Sequence, residues 1–461
     1  MQNKKLLSQA LIIWIGIALL ILVSILFIGL RWGAMGFDIF IQEGVYTHLP
    51  TTLMSVAVTW ALAGLFLYLL YANKFNADNT LTWLGFYLVT LMYLNVLRER
   101  FRFGDIAYYI EAATQLSNHQ ALPSTYFYMP LWATLVEFLL PLGEDGIFAV
   151  VGFLNIAALI AFYFLLQRIL RHYGFSSRLS TGITILFMLV NTPILRTLMY
   201  GQVNLHVMNA IFLSLLLYRR HPFFSALMLA LAVHLKTSPL VLVLAFLLER
   251  DWRWLAWFLL GNLLIGSITL VADGVSPFTD VLHNLTALSS QRSAIFHDNS
   301  FDSFFGFPSE VFAVSKTLVR VLAYVSKGIL GIAALLVLSR LLRARAFFSN
   351  EERGTRLFNA IPPLFILMNL ASPVVWVHHG IFLALSFLVL IKRLDRPGQW
   401  LWFGLAYLLE FILPTFDFYP WSYGRLLAPL ICLWLMWGLP EKPSELFAKL
   451  NQWTDQPFKS A

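Results

Sequence analysis

Long apolar runs separated by short polar connectors dominate this chain. The runs at residues 11–30, 51–71, 81–97, 147–166, 179–198 and 254–272 each approach the roughly 20 residues that a helix needs to cross about 30 Å of hydrocarbon. Helices are the expected spanning element, because backbone groups in lipid must pair within their own segment. The pattern therefore predicts an all-α integral membrane protein, a multi-span helical bundle with roughly 11–14 transmembrane helices.

Three further apolar runs, at residues 205–218, 223–235 and 240–248, are too short to cross a bilayer without tilt or local thinning. The last two are separated by Lys236, Thr237, Ser238 and Pro239. These runs are either buried between other helices or re-entrant, and both interpretations place Lys236 beside a cavity. No repeat or low-complexity linker divides the chain, so we expect one polytopic domain over residues 1–440 and a short, separately soluble cytoplasmic tail over residues 441–461.

Composition supports this setting, because 59% hydrophobic and 12% charged residues do not make a soluble surface. Lysine and arginine collect in alternate connectors, which are therefore expected to be cytoplasmic, together with both termini. The net charge of +8 is accounted for by these orientation signals, so membrane lipids are the expected partners and nucleic acid is not. The opposite loops, mainly residues 98–146 and 272–310, hold most of the uncompensated acids and histidines, so we expect the chemistry to face outward.

The two long outer loops are predicted to carry interfacial helices. Residues 130–142 are apolar and aromatic, and Lys316, Arg320 and Lys327 form a basic stripe on an apolar helix, a pattern suited to lipid phosphates. Within the first loop, Asp105, Tyr108, Tyr109 and Ala112 recur at helical spacing. This spacing predicts that one carboxylate and two phenols share a helix face.

Several short motifs resemble glycosyltransferase family 87, the polyprenol-phosphate-mannose-dependent mannosyltransferases of the GT-C superfamily. They are, in chain order, Gly104-Asp105 with paired tyrosines, Tyr128-Met129-Pro130-Leu131, Pro141-Leu142, Gly201-Gln202-Val203-Asn204, Leu235-Lys236-Thr237-Ser238-Pro239, Asn299-Ser300-Phe301 and Ser372-Pro373-Val374-Val375-Trp376-Val377-His378-His379. The resemblance covers residues 104–379. It implies a GT-C type bundle that moves a hexose, expected to be mannose, from a polyprenyl-phosphate donor to a lipid or glycan acceptor at the outer face.

The reaction implied by the resemblance is a single displacement with inversion, which needs one base and no carboxylate nucleophile. Asp105 is the candidate general base for the acceptor hydroxyl. The alternative is that Asp105 only caps a helix beginning at Ile106. A rival function for the whole chain is a lipid-linked sugar transporter or flippase, although polar residues concentrate in outer loops and no inverted repeat is evident.

The departing phosphate requires cations or hydrogen-bond donors. Lys236, His378, His379, Arg102 and Arg425 are the candidates for donor phosphate binding. Lys236 between apolar runs is costly to keep without a partner, but a lysine near a helix end also snorkels to the membrane surface. The two histidines are alternatively interfacial anchors, and the two arginines are alternatively surface residues at the membrane rim.

Polar and aromatic side chains in the same motifs are candidates for binding the sugar or the acceptor: Tyr108, Tyr109, Tyr128, Gln202, Asn204, Asn299 and Trp376. Gln202 and Asn204 also suit helix capping. His297, Asp298 and Asp302 form an acidic group that recurs by chance on flexible loops, so no metal and no other cofactor is predicted. We expect a multi-pass protein of the bacterial cytoplasmic membrane.

Overall fold

The computed structural model describes residues 104–189, 191–290, 298–311, 314–344, 354–372, 374–412, 423–440 and 442–455, with scattered positions between residues 8 and 93. Over these residues the chain is helical and contains no strand. Three helical segments are long and apolar enough to cross a membrane: Leu140–His172, Trp252–Asp273 and Lys316–Arg343. The predicted all-α membrane fold is confirmed. The predicted runs at 11–30, 51–71 and 81–97 lie mostly outside the described residues, so the predicted span number stays a prediction.

We number the helices from Gly104 onward. They are α1 Gly104–Ser117, α2 Leu131–Glu137, α3 Gly143–His172, α4 Ser177–Leu189, α5 Thr192–Met199, α6 Asn204–Leu217, α7 Pro222–Leu235, α8 Val243–Glu249, α9 Trp252–Asp273, α10 Ser276–Ser290, α11 Phe301–Val311, α12 Lys316–Ala344, α13 Thr355–Ala371, α14 Ala384–Leu390, α15 Pro397–Tyr407, α16 Gly424–Trp437 and α17 Glu445–Asp455. Short 3₁₀ turns lie at Leu140–Leu142, Ser238–Leu242 and Val377–Leu383, and a π-helical turn lies at Leu408–Ile412.

The centre of the bundle is the antiparallel pair α6 and α7, with α9 packed against α7. A Cβ atom built on Gly261 of α9 would lie 3.2 Å from the Cβ of Ala230, so these two helices approach closely through small residues. Buried polar groups are satisfied between the helices, since Trp254 Nε1 donates to Ser225 Oγ (2.8 Å) and Ser225 Oγ donates to Ser214 O (2.7 Å). The short apolar runs at residues 205–218 and 223–235 are therefore helices that bury each other.

The run at residues 179–198 is not the single straight span that its hydropathy suggested. It forms α4 and α5, which meet at an angle of 60°. Asn191 explains the break, because its Oδ1 accepts the Ile194 N–H (2.8 Å) and caps α5, while Pro193 occupies the first turn of α5. The break allows α5 to contact the 3₁₀ turn at residues 377–383.

The basic stripe on α12 was predicted to mark an interfacial helix, and this stays a prediction. With 29 residues, α12 is long enough to cross a membrane. Lys327 pairs with Asp302 of α11, so this lysine is neutralised inside the protein. A charge placed well inside an apolar helix needs such a partner, whereas a stripe at the interface does not.

The C-terminal segment that we expected to be separate contains α17, which packs on α4 and the loop before it. Asn451 Oδ1 accepts the Ser176 N–H (2.6 Å) and Asn451 Nδ2 donates to Gly174 O (3.2 Å). Nearby, Lys392 Nζ donates to Tyr173 O (2.8 Å), at the carboxyl end of α3, where a positive charge is favourable.

The Asn191 cap gives a test of the break between α4 and α5. Asn191→Ala removes the oxygen that accepts the Ile194 N–H and is expected to lower the free energy of unfolding by about 1 kcal/mol. Asn191→Ser retains a capping oxygen and is the matched control. Reversible unfolding in mixed detergent micelles measures both variants, and equal stability of parent and alanine variant would contradict the capping role.

Candidate active site

Lys236 lies at a break in the helical hairpin. Helix α7 ends at Leu235, Lys236 itself is extended (φ −157°, ψ 130°), and Pro239 opens the following 3₁₀ turn. The lysine Nζ donates to Asn204 Oδ1 (3.0 Å) and lies 2.6 Å from His379 Nε2. Its side chain is therefore held inside the protein by polar partners and does not snorkel to a membrane surface.

The 3₁₀ turn at residues 377–383 presents two buried imidazoles beside this lysine. The rings of His378 and His379 lie 4.7 Å apart, and the Trp376 N–H donates to His379 Nδ1 (3.2 Å). Asn204 Nδ2 donates to His378 O (3.1 Å), so Asn204 joins the lysine to this turn, which we call the histidine turn (residues 377–383). Among the described residues His378 Nε2 has no hydrogen-bond partner, although it is buried. This nitrogen is available to a ligand.

A second polar cluster joins α1 and the loop before α2 to the turn that precedes α6. Tyr128 Oη donates to Gln202 Oε1 (2.9 Å), and Tyr109 Oη approaches the same oxygen (3.4 Å). The Tyr128 ring packs edge-on against Tyr109 and lies 5.9 Å from Lys236 Nζ. Gln202 therefore places two phenols next to the lysine.

Gly201 makes the connection between the two clusters possible. Its φ of 67° is in the left-handed region that a glycine adopts without strain. The turn at Gly201 places Gln202 against the tyrosines and Asn204 against Lys236 and the histidine turn. This one turn therefore supplies a hydrogen-bond partner to each of the two polar clusters.

Asp105 lies in the first turn of α1, and its N–H donates to Tyr200 O (3.2 Å). The helix begins at Gly104, one residue before Asp105, and no described residue donates a backbone N–H to its carboxylate. The capping alternative, with a helix beginning at Ile106, is therefore not what the structure shows. Burial raises the pKa of Asp105 to about 6, and the nearby Lys236 ammonium opposes that rise. A carboxyl with a pKa near the working pH suits proton transfer.

Sequence reasoning missed Arg196 and Tyr200. Arg196 Nη1 donates to Tyr200 Oη (3.0 Å), and the Tyr200 ring lies 6.2 Å from the His378 ring. The charge of Arg196 also acts on the His378 imidazole. An arginine inside an apolar run is a signal in itself, because such residues are costly there. It was passed over because residues 179–198 were interpreted as one straight span.

Two other predicted ligands lie elsewhere. The expectation that Tyr108 shares the face of Asp105 and Tyr109 is wrong: Tyr108 is 50% exposed while Tyr109 is fully buried, because adjacent residues on a helix point about 100° apart. Arg425 is buried in α16, where its Nε donates to Glu410 O (3.0 Å). Arg102 lies outside the described residues.

Asn299 fastens the loop before α11 to the strand-like segment before the histidine turn. The Asn299 N–H donates to Val375 O (2.7 Å), and Asp298 Oδ1 accepts the Val375 N–H (2.8 Å). Asp298 also accepts from the N–H and hydroxyl of Ser300 (3.0 Å each). These contacts give Asp298 and Asn299 a role in holding the turn, and Asp302 is already paired with Lys327. The third member of the acidic group, His297, lies outside the described residues.

The arrangement combines one acid, one half-buried lysine and two buried imidazoles. The acid and the lysine attract each other, and the lysine contacts one imidazole directly. Such a centre can accept a proton from an alcohol and stabilise a phosphate that leaves. Within the described residues, no group of three or more histidine, cysteine, aspartate or glutamate side chains is arranged to hold a metal ion.

Of the comparisons with known proteins, the one against protein-family models finds a match. The family model described as glycosyltransferase family 87 matches residues 126–373, which include Tyr128, Gln202, Asn204, Lys236 and Asn299 but neither Asp105 nor the histidine pair. No curated protein and no solved structure matches the chain. The match covers more than half of the 461 residues, and the chain therefore belongs to glycosyltransferase family 87.

Proposed function

We propose that this membrane glycosyltransferase moves a hexose, mannose in the first instance, from a polyprenyl-phosphate donor to a hydroxyl of a lipid or glycan acceptor. The observation that supports the proposal is the meeting of Asp105, Lys236 and the His378–His379 pair, which come from three distant parts of the chain. The outer face of a bacterial cytoplasmic membrane is the proposed location of the site.

In the proposed step, the acceptor oxygen attacks the anomeric carbon while the bond from that carbon to the phosphate oxygen breaks. The acceptor proton passes to the Asp105 carboxylate, and the electron pair of the broken bond stays on the polyprenyl phosphate. Lys236 and the His378 Nε2–H tautomer stabilise this phosphate, with Arg196 as a further cation on the other side of His378. One displacement gives inversion at the anomeric carbon, because no carboxylate attacks the sugar.

Tyr109, Tyr128 and Gln202 form the proposed wall for the sugar or the acceptor. Their hydroxyl and amide groups converge on one point beside Lys236. Sugars are recognised by such hydrogen bonds, and a site built to bond a given hydroxyl discriminates against sugars that lack it. Trp376 lies before the histidine turn and offers a partly exposed aromatic face.

The decisive test of the activity uses purified protein in lipid nanodiscs with radiolabelled polyprenyl-phosphate hexoses and a membrane extract as the acceptor source. Incorporation of sugar into a larger lipid or glycan supports the proposal. In sealed vesicles, vectorial movement of intact donor without product would instead support the transporter function.

Asp105→Asn is expected to reduce kcat by at least about 100-fold, because it removes the base but leaves the shape of the side chain. The donor KM is expected to stay the same or to fall, since Asp105 is not placed on the phosphate and its negative charge acts on the same Lys236 ammonium. Glu111→Gln on the same helix is the matched control, because Glu111 is exposed. Undiminished transfer by Asp105→Asn would exclude Asp105 as the base.

The pH dependence of kcat/KM for the donor follows from the same carboxyl, because kcat/KM reports the pKa values of the free enzyme. Asp105 acts as a base only when ionised, and burial raises its pKa to about 6. The value of kcat/KM is therefore expected to fall about tenfold for each pH unit below 6. Initial rates between pH 4.5 and 7 at donor concentrations well below KM measure the profile, and a kcat/KM that stays constant or rises as the pH falls below 6 would contradict the assignment.

Lys236→Met is expected to raise the donor KM and to lower kcat together, because the lysine is proposed to bind the phosphate both before and during bond cleavage. Lys316→Met removes an exposed lysine and is the matched control. We also propose that the phosphate is stabilised without metal, so EDTA is expected to leave the parent rate unchanged. A Lys236→Met enzyme with unchanged kcat/KM would remove the lysine from the mechanism.

A further inference from the structure

Glu410 is a buried acid that the proposed reaction does not use. It lies in the π-helical turn Leu408–Ile412 that follows α15, and its side chain is 1% exposed. Arg425 Nε donates to the main-chain oxygen of Glu410 (3.0 Å), and the Arg425 charge acts on the Glu410 carboxyl. Single π-helical turns are rare and occur frequently at functional sites. The burial of this acid therefore needs an explanation.

The Glu410 carboxyl packs against the backbone of the histidine turn. A Cβ atom built on Gly380 would overlap Glu410 Oε1 and would lie 2.8 Å from Pro193 Cγ. The space left by the missing side chain of Gly380 is thus filled by the carboxyl on one side and by a rigid proline ring on the other. Gly380 directly follows His379 in the sequence.

Hydrogen bonding alone does not account for the position of the acid. Glu410 Oε2 is buried and has no hydrogen-bond partner among the described residues. A carboxyl group is retained in such a place only when its contacts are needed. The Arg425 charge offsets only part of the cost of burying it, and the contact with Gly380 connects the carboxyl to the turn that carries both imidazoles.

We infer that Glu410 is a positioning residue, whose carboxyl holds the 3₁₀ turn Val377–Leu383 so that His378 and His379 stay beside Lys236. The π-helical turn directs the carboxyl at Gly380, and Pro193 in the first turn of α5 limits movement from the other side. Glu410 touches neither the sugar nor the phosphate in this arrangement. The inference rests on the proposed function in one respect, namely that the imidazoles bind the donor phosphate.

The test measures binding of polyprenyl monophosphate, without sugar, to the full-length protein in nanodiscs. Glu410→Ala is expected to weaken this binding about tenfold, which is a modest loss for one misplaced phosphate ligand. Glu410→Gln keeps the size and shape of the side chain and is expected to restore binding to within about twofold of the parent. Glu445→Ala, an exposed acid on α17, is the control.

Gly380→Ala tests the same contact from the histidine side. It is expected to weaken polyprenyl monophosphate binding on its own, and to cost less in the Glu410→Ala background, where only Pro193 still opposes the new Cβ. Such non-additivity is the signature of two groups in contact. Thermal unfolding of each variant identifies any that do not fold, and the Gly380→Ala and Glu410→Gln variants then replace Glu410→Ala in the comparison.

Imidazole ¹⁵N resonances of His378 and His379, assigned with His378→Gln and His379→Gln variants, provide a readout that does not depend on any ligand. They are expected to shift in Glu410→Ala and to return in Glu410→Gln. Unchanged resonances and unchanged phosphate binding in a folded Glu410→Ala protein would overturn the inference. If the parent itself binds no polyprenyl monophosphate, the proposed donor fails, while the resonances still decide whether Glu410 positions the histidines.

Discussion

The structure of the site depends on one buried ammonium group, that of Lys236. A lysine at the centre of an apolar helix costs about 2.5–3.5 kcal/mol on insertion scales. The chain places Lys236 just after the end of α7, where the helix breaks, and surrounds it with an amide oxygen, an imidazole nitrogen and two aromatic rings. Each neighbour offers partial negative charge to the ammonium without neutralising it. Burial lowers the pKa of this ammonium to about 7, so an anion bound beside it would favour the charged form.

Because Lys236 needs an imidazole nitrogen beside it, the histidine turn must be fixed in position. The turn at residues 377–383 comes after a long gap in the chain from Lys236, and it contains no carboxylate that would fix it to the lysine. Contacts from three other parts of the chain hold it instead: Asn204 on the carbonyl of His378, Asp298 on the N–H of Val375, and Glu410 against Gly380. Backbone groups take up most of these contacts, so the two imidazole rings stay directed at the site.

The sequence allowed us to predict the membrane fold and to select Lys236 as a candidate, because both follow from the free-energy cost of placing polar groups in lipid. Apolar runs of sufficient length predict spans, and Lys236 was noticed because a lone lysine between apolar runs is costly. The contact between Lys236 and His379 could not be predicted from the sequence. His379 lies 143 residues after Lys236, and no local pattern reveals that their nitrogens approach to 2.6 Å. Tyr108 shows a different limit, because helical spacing does not state which of two adjacent tyrosines faces inward.

Arg196 was missed because the broken span was not recognised. The residues that cause the break, Asn191 and Pro193, were visible in the sequence, but a window average of hydropathy does not register a cap or a proline. Once α5 is treated as a separate helix, Arg196 and Tyr200 fall beside His378 and Asp105. Short-range capping rules therefore decide which polar residues of a membrane protein reach its centre, and they merit the same weight as hydropathy.

The mutual attraction of Asp105 and Lys236 gives the proposed reaction an order. Without donor, the ammonium lowers the pKa of a carboxyl that burial alone would raise further. A donor phosphate near Lys236 would offset that attraction, and the pKa of Asp105 would then increase. A higher pKa makes the carboxylate a stronger base towards the acceptor hydroxyl, provided that it is still ionised. Binding of the donor would in this way strengthen the base before the acceptor is activated. The electrostatic interaction between the lysine and the acid is what couples the two events.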